Sequence, residues 1–212
     1  MRIKTTVFCS ILIVLFHGVG LAGFLIPTLT TLFIKLIPFH LVLMFALIII
    51  SHQKKNTDFG LFVVISCLAG FLVELVGVST GVIFGSYRYG SALGLKVTGV
   101  PPVIGLNWFI LIYSTGMLVR NFQIKSYFIR SLVGAGFLVL LDILIEPIAI
   151  KFDYWQWDSM AVPFINYVAW FVFSFIMLRI FFELRFHKRN IAGSIMFVIQ
   201  LLFFAALNLW AF

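Results

Sequence analysis

Apolar residues fill this chain in seven long runs, which polar or glycine-rich segments separate from one another. A transmembrane helix needs roughly 20 consecutive, mostly apolar residues, and each run is close to that length. The pattern therefore predicts seven transmembrane helices. Their expected bounds are Thr6–Leu25, Leu32–Ile50, Phe59–Val78, Pro102–Arg120, Arg130–Ile150, Pro163–Phe182 and Ile191–Trp210.

The composition agrees with this pattern. Of the 212 residues, 63% are hydrophobic and 10% are charged, and the mean hydropathy is +1.16. A soluble globular domain is about half apolar and about a quarter charged. We therefore expect an all-α, polytopic integral membrane protein, with residues 1–212 forming a single membrane domain, and not a soluble protein.

The basic residues indicate an orientation in the membrane. If the N-terminus and every second connection lie on one side, eleven of the 15 lysines and arginines lie there. Cytoplasmic loops are enriched in these residues, so we expect a multi-pass protein of the cell (inner) membrane with the N-terminus in the cytoplasm and the C-terminus outside. Because the basic residues cluster between apolar runs, they indicate contacts with anionic lipids and no nucleic acid.

Two of the expected outer connections have unusual sequences. Residues 79–101 are rich in glycine, tyrosine and valine, and we expect a short hairpin there that covers the outer mouth of the bundle. Residues 151–162 contain the aromatic cluster Tyr154, Trp155 and Trp157. An aromatic belt at the membrane interface explains these tryptophans about as well as substrate contact does.

Three of the seven acidic residues lie inside predicted helices: Glu74, Asp142 and Glu146. Ionisable groups within a membrane are costly and usually functional. From the helix rise, Glu74 and Glu146 lie roughly 6 Å below the outer helix ends and Asp142 roughly 12 Å. Asn107 and Asn166 lie at a similar depth. Interhelical hydrogen bonding alone explains the asparagines well, but it explains the acids poorly, because few basic residues are available to pair with them.

The histidines give a weaker signal. His17 and His40 lie near mid-membrane and could face the same cavity. No HxxxH or HxxE pair occurs on one helix, so we expect no metal site.

Two segments carry spaced motifs. Residues 74–108 contain a glutamate, TG, FG-x-Y-x-Y, GVP and a tryptophan; residues 142–170 contain an aspartate, an acid–proline pair, W-x-W and Pro-x-x-Asn-aromatic before a final tryptophan. These motifs resemble those of the membrane carotenoid biosynthesis family of CruF-type carotenoid hydratases. The matching positions are Glu74, Thr80, Gly81, Phe84, Gly85, Tyr87, Tyr89, Gly99, Val100, Pro101, Trp108, Asp142, Glu146, Pro147, Trp155, Trp157, Pro163, Asn166, Tyr167 and Trp170.

The resemblance implies a lyase of the carotenoid 1,2-hydratase type. Such an enzyme adds water to the terminal isopropylidene double bond of an acyclic carotenoid end and gives a tertiary alcohol, with no cofactor. The expected partners are a carotenoid within the bilayer, membrane lipids and other enzymes of the carotenoid pathway. Two alternatives remain open: another polyisoprenoid-modifying enzyme, such as an isomerase or cyclase, and a non-catalytic transporter or lipid-binding protein.

Water addition to such an alkene needs a strong acid, and a carboxyl group in an apolar site can hold the required proton. We expect Asp142, the deepest acid, to donate the proton, and Glu74 and Glu146 to bind or activate water. Aromatic faces would stabilise the cation that forms. The expected substrate-binding residues are Tyr87, Tyr89, Asn107, Trp108, Trp155, Trp157, Asn166 and Trp170.

Overall fold

The computed structural model describes residues 2–159 and 161–211. Within these residues the chain forms seven helices that are long and apolar enough to cross a membrane. They are α1 (Arg2–Leu25), α2 (Pro27–Ser51), α3 (Thr57–Thr80), α4 (Val103–Arg120), α5 (Tyr127–Lys151), α6 (Phe164–Glu183) and α7 (Ile191–Ala211). The predicted all-α polytopic membrane fold with seven helices is confirmed.

The largest difference from the predicted bounds is the start of α2, which begins at Pro27 and not at Leu32. Proline suits the first position of a helix, because its φ angle is helical and its missing N–H would have no partner there. Only the extended residue Ile26 separates α1 from α2, so the two helices form a tight hairpin. Gly23 makes this possible, since a Cβ atom there would lie 2.3 Å from the ring of Phe33.

Helix α4 lies at the centre of the bundle and contacts α2, α3, α5, α6 and α7. Of its spanning segment, 72% is buried, against 17–39% for the other six helices. Glycines allow its neighbours to approach closely. A Cβ atom at Gly105 would lie 2.5 Å from the carbonyl oxygen of Cys67 in α3, and one at Gly116 would lie 2.6 Å from the Phe181 ring in α6. Helix α1 packs outside α4, against α2 and α7.

A buried hydrogen-bond network joins several helices near the ends that the sequence predicts to be cytoplasmic. His52, just beyond α2, hydrogen-bonds through Nε2 to the carbonyl oxygen of Lys54 at 3.2 Å and through Nδ1 to the hydroxyl of Tyr113 at 2.8 Å. A carbonyl oxygen can only accept, so Nε2 carries the proton and Nδ1 accepts from Tyr113. Asn190 donates to Tyr113 at 2.9 Å and to Ser51 at 2.8 Å. Burial lowers the pKa of His52 to about 4, so its ring is neutral at pH 7.

The two connections that the sequence predicts to lie on the outer side, here called the outer loops, pair with each other. Strand β1 (Tyr87–Tyr89) runs antiparallel to strand β2 (Trp155–Trp157), with Arg88 opposite Gln156. The expected short hairpin within residues 79–101 is present only as the antiparallel bridge between Val97 and Val100, whose backbones exchange two hydrogen bonds, at 2.8 and 3.0 Å, across a two-residue turn. The strand of this segment, β1, pairs instead with the other loop. Successive side chains of a strand point to opposite faces, so the paired strands turn the four large aromatic side chains of β1 and β2 towards the bundle.

Asp153 stabilises this contact between the two loops. Its carboxylate accepts from the backbone N–H of Ser91 at 2.8 Å and from the Ser91 hydroxyl at 3.0 Å. The hydrogen bond from the Ser91 backbone is the main cause that lowers the pKa of Asp153. Gly90 is required beside it, since a Cβ atom there would lie 2.1 Å from the Asp153 carbonyl oxygen.

Candidate active site

Glu74 is buried on α3 and accepts three hydrogen bonds from side chains. The hydroxyls of Tyr87 and Tyr89 reach Oε2 at 2.5 and 2.7 Å, and the indole N–H of Trp108 reaches Oε1 at 2.9 Å. Burial and then the charge of Glu74 raise the pKa of both tyrosines, so both keep their protons and can donate. Three donors on two oxygens are the partners that an ionised carboxylate requires.

Glu146, on α5, is held by the other half of the small sheet. The indole N–H groups of Trp155 and Trp157 both donate to Oε2, at 3.1 and 2.8 Å. Its second oxygen, Oε1, faces the amide of Asn166 at 3.4 Å. Strands β1 and β2 thus position one glutamate each: the two tyrosines hold Glu74 and the two tryptophans hold Glu146.

Asp142 lies one helical turn from Glu146 on α5 and is completely buried. Its Oδ2 accepts from the Asn166 amide at 2.8 Å, so Asn166 connects the two acids. Among the residues that the structure describes, Oδ1 of Asp142 has no hydrogen-bond partner. A buried carboxyl oxygen without a donor is unfavourable as an anion.

No cation compensates these three carboxyl groups in the described part of the chain. The two ion pairs found there, Arg88–Asp158 and Arg179–Glu183, involve other acids and lie at the surface. An unpaired charge in an apolar interior carries a large desolvation cost, so the three groups cannot all be ionised together at neutral pH. The site can therefore hold a proton for transfer beside a fixed negative charge.

Glu74 and Glu146 both line a cavity of about 360 Å³. Its outer end is polar and aromatic, with the Trp108 and Trp170 rings 4.5 Å apart, and its remaining walls are mostly apolar side chains of α1, α2, α4 and α7. Some of the lining residues of α1 and α2 are also exposed at the membrane-facing surface: Phe16 (37%), Val19 (47%), Leu36 (40%) and Phe39 (71%). The cavity therefore reaches the membrane-facing surface at these residues of α1 and α2.

Ten of the eleven site residues expected from the sequence line this cavity. They are Glu74, Tyr87, Tyr89, Asn107, Trp108, Glu146, Trp155, Trp157, Asn166 and Trp170. Asp142 is the exception, because it lies behind Asn166 and does not reach the cavity surface. Residues in W-x-W and Y-x-Y spacing come together here because alternate strand positions share a face.

His17 and His40 also line the cavity, as does Gln200 of α7, which the sequence reasoning did not consider. A side-chain amide in the middle of the largely apolar helix α7 was the signal that could have marked Gln200 as a candidate. In the described residues, no three His, Cys, Asp or Glu side chains come together in a way that could hold a metal ion.

Comparison with known proteins gives the chain a family. The family described as carotenoid biosynthesis protein matches residues 31–212. A bisanhydrobacterioruberin hydratase from Haloarcula japonica is 29% identical over 129 residues, which cover 58% of this chain and 44% of that relative. The alignment thus spans less than half of the relative's length, and no solved structure matches the chain. Because the family match covers far more than half of the chain, the protein belongs to the carotenoid biosynthesis protein family.

Proposed function

We propose that the protein adds water across the terminal isopropylidene double bond of an acyclic carotenoid end and produces a tertiary alcohol. The observation that carries the proposal is a group of buried carboxyls with no cationic partner among the described residues, beside a cavity that reaches the membrane-facing surface. The name of the relative, a hydratase, supports water addition as the type of reaction, and the family supports a carotenoid as the substrate.

The cavity would bind one end of the substrate. At about 360 Å³ it is near the lower limit for small-molecule sites, which are roughly 300–1,000 Å³. A long polyene would leave most of its length in the bilayer and enter the cavity beside Phe16 and Phe39. Apolar walls would hold the end group, and the polar outer end of the cavity would receive its double bond.

Glu146 is the best placed proton donor. Both indoles donate to its Oε2, which leaves Oε1 as the position for a proton, facing Asn166. Transfer of this proton to the CH carbon of the double bond would form a C–H bond from the π electrons. The adjacent carbon, which carries two methyl groups, would become a tertiary cation.

Glu74 and the aromatic walls would stabilise that cation. The Glu74 carboxylate supplies a negative charge held in place by three donors, and the faces of Trp108 and Trp170 supply cation–π attraction. A water molecule would then add to the cation and lose a proton to the carboxylate of Glu146. The carbon–oxygen bond formed gives the tertiary alcohol, and the donor is protonated again.

Asp142 would act through Asn166 as a positioning residue. A proton donor must come within hydrogen-bonding reach of the atom that it protonates, and Asp142 does not line the cavity. This role differs from the expectation from sequence, in which the deepest acid donates the proton. By accepting from the Asn166 amide at 2.8 Å, Asp142 would hold that amide in the position where it faces Oε1 of Glu146.

Expression in a host that accumulates lycopene tests the proposal. We expect new pigments heavier by one or two waters, detected by liquid chromatography and mass spectrometry, and no such pigments with Glu146→Gln. Glu183→Gln, which changes an exposed acid at the inner side, is the matched control and should stay active. An unchanged pigment profile with the protein present in the membrane contradicts hydration of lycopene, while new pigments of unchanged mass favour an isomerase or cyclase.

We also propose that the N-terminus lies in the cytoplasm and the site in the outer half of the membrane. The uneven distribution of lysines and arginines supports this orientation.

A further inference from the structure

One side-chain amide of the central helix faces the cavity without a partner in the protein. Asn107 lies roughly 6 Å from the end of α4 that meets the outer loops. It lines the cavity together with Ile104 and Ile110, because residues three apart share one face of a helix. Among the residues that the structure describes, the Asn107 side chain makes no hydrogen bond. Its oxygen and its NH₂ group are therefore both available to a molecule in the cavity.

The donors around Asn107 are already committed to the acids. Both tyrosines of β1 and the Trp108 indole donate to Glu74, and both tryptophans of β2 donate to Glu146. Asn166 directs its NH₂ group at the two acids of α5. Asn107 holds none of these groups in place. An amide beside largely apolar walls is poorly solvated unless a bound molecule supplies its hydrogen bonds, so this side chain is suited to a ligand.

The chemistry of hydration identifies that ligand as water. The terminal isopropylidene group is a hydrocarbon and offers an amide no hydrogen bond, so a hydrogen bond to Asn107 must come from the second reactant. Asn107 directly precedes Trp108, whose indole donates to Glu74 at 2.9 Å and whose ring lies 4.5 Å from that of Trp170. A water molecule whose O–H donates to the Asn107 oxygen is thus held beside the rings that would stabilise the cation. Its lone pairs stay free to attack.

We propose that Asn107 binds the water molecule that adds to the tertiary cation and thereby decides the fate of that cation. The inference rests on the proposed function, because it takes Glu146 to form the cation. With water in place, the carbon–oxygen bond forms and the proton of the water passes to the Glu146 carboxylate. Without it, the cation returns a proton to Glu146 and becomes an alkene again. Loss from the newly protonated carbon restores the substrate, and loss from a methyl group gives an isomer with a terminal CH₂ group.

Reaction in deuterium oxide measures both fates of the cation at once. Membranes that contain the full chain are supplied with lycopene in deuterium oxide, and the alcohol and the remaining hydrocarbon are separated and analysed by mass spectrometry. Hydrocarbon that has passed through the cation carries deuterium. Asn107→Leu keeps the approximate size of the side chain but makes no hydrogen bond. We expect it to lower the ratio of alcohol to deuterated hydrocarbon by about threefold to tenfold, the effect of one lost hydrogen bond, while deuterium still enters the hydrocarbon.

Asn121→Leu, the same change just beyond the other end of α4 and away from the cavity, is the matched control and should keep the wild-type ratio. Asn107→Gln retains the amide and should keep most of that ratio. An unchanged ratio in Asn107→Leu, a parallel fall of alcohol and deuterated hydrocarbon, or an equal effect of Asn107→Gln overturns the assignment and makes Asn107 a packing residue. Wild-type membranes that give neither alcohol nor deuterated hydrocarbon contradict the proposed function itself, and the inference with it.

Discussion

Replacing Glu146 by glutamine removes the proposed proton donor while keeping its shape. The amide oxygen of glutamine can accept from Trp155 and Trp157 as Oε2 does now, and its NH₂ group then occupies the position of Oε1. The two indole hydrogen bonds are therefore retained, and only the long contact from the Asn166 amide, at 3.4 Å, is lost. The change in rate reports the lost proton and not a collapsed site.

The expected loss is large. General acid–base catalysis contributes about 10²- to 10⁴-fold to a rate, which is about 3–5 kcal/mol in the activation free energy. Asp142→Asn should lose less than about tenfold, because asparagine can keep an oxygen towards Asn166 and the residue does not line the cavity. The comparison of the two variants separates the donor from the positioning residue.

Rates would be measured in isolated membranes supplied with an acyclic carotenoid, as alcohol formed per unit of protein quantified by immunoblot. Glu183→Gln provides the baseline for an acid-to-amide change outside the site. Near-normal turnover by Glu146→Gln would refute its role as donor. A loss in Asp142→Asn as large as that in Glu146→Gln would return the donor role to Asp142.

Three further predictions concern topology, packing and pH. Reporter fusions at Lys125 and at the C-terminus should report opposite sides of the membrane, and the same side for both would contradict the topology. Gly70→Ala should lower both product yield and melting temperature, because the added Cβ would lie 2.4 Å from Trp108 Cβ and displace the indole that holds Glu74. If both values stay unchanged, α3 and α4 can move apart to accommodate the added methyl group, and the reasoning is wrong. The pKa of His52 is about 4 when folded and about 6.5 when unfolded, so the unfolded chain binds more protons between these values and melting temperature should fall as pH is lowered from 6.5 to 4. His52→Phe should show a smaller fall over that range, and an equal fall would assign the effect to other groups.

The chain itself contains the information for the helices. A run of about 20 apolar residues has one stable solution in a bilayer, because a helix satisfies every backbone hydrogen bond locally. The acids of α3 and α5 could likewise be singled out without a structure, since a carboxyl group within such a run needs a reason to be there. The spacings Y-x-Y and W-x-W place each pair on one face once the structure shows that both segments are extended.

Which residues meet was decided by tertiary structure. Lipid and protein interior are equally apolar, so a membrane helix does not mark its inward face by hydrophobicity. For that reason the sequence could mark Gln200 as a polar residue within an apolar helix but could not show that it faces the cavity. Nor could it show that Asp142 lies behind Asn166 while Glu146 lines the cavity. The pairing of β1 with β2 likewise joins segments about 70 residues apart, and it forms only once seven helices bring the two outer loops together. The depth of each acid followed from helix rise alone, whereas its partners depend on how the helices pack around α4.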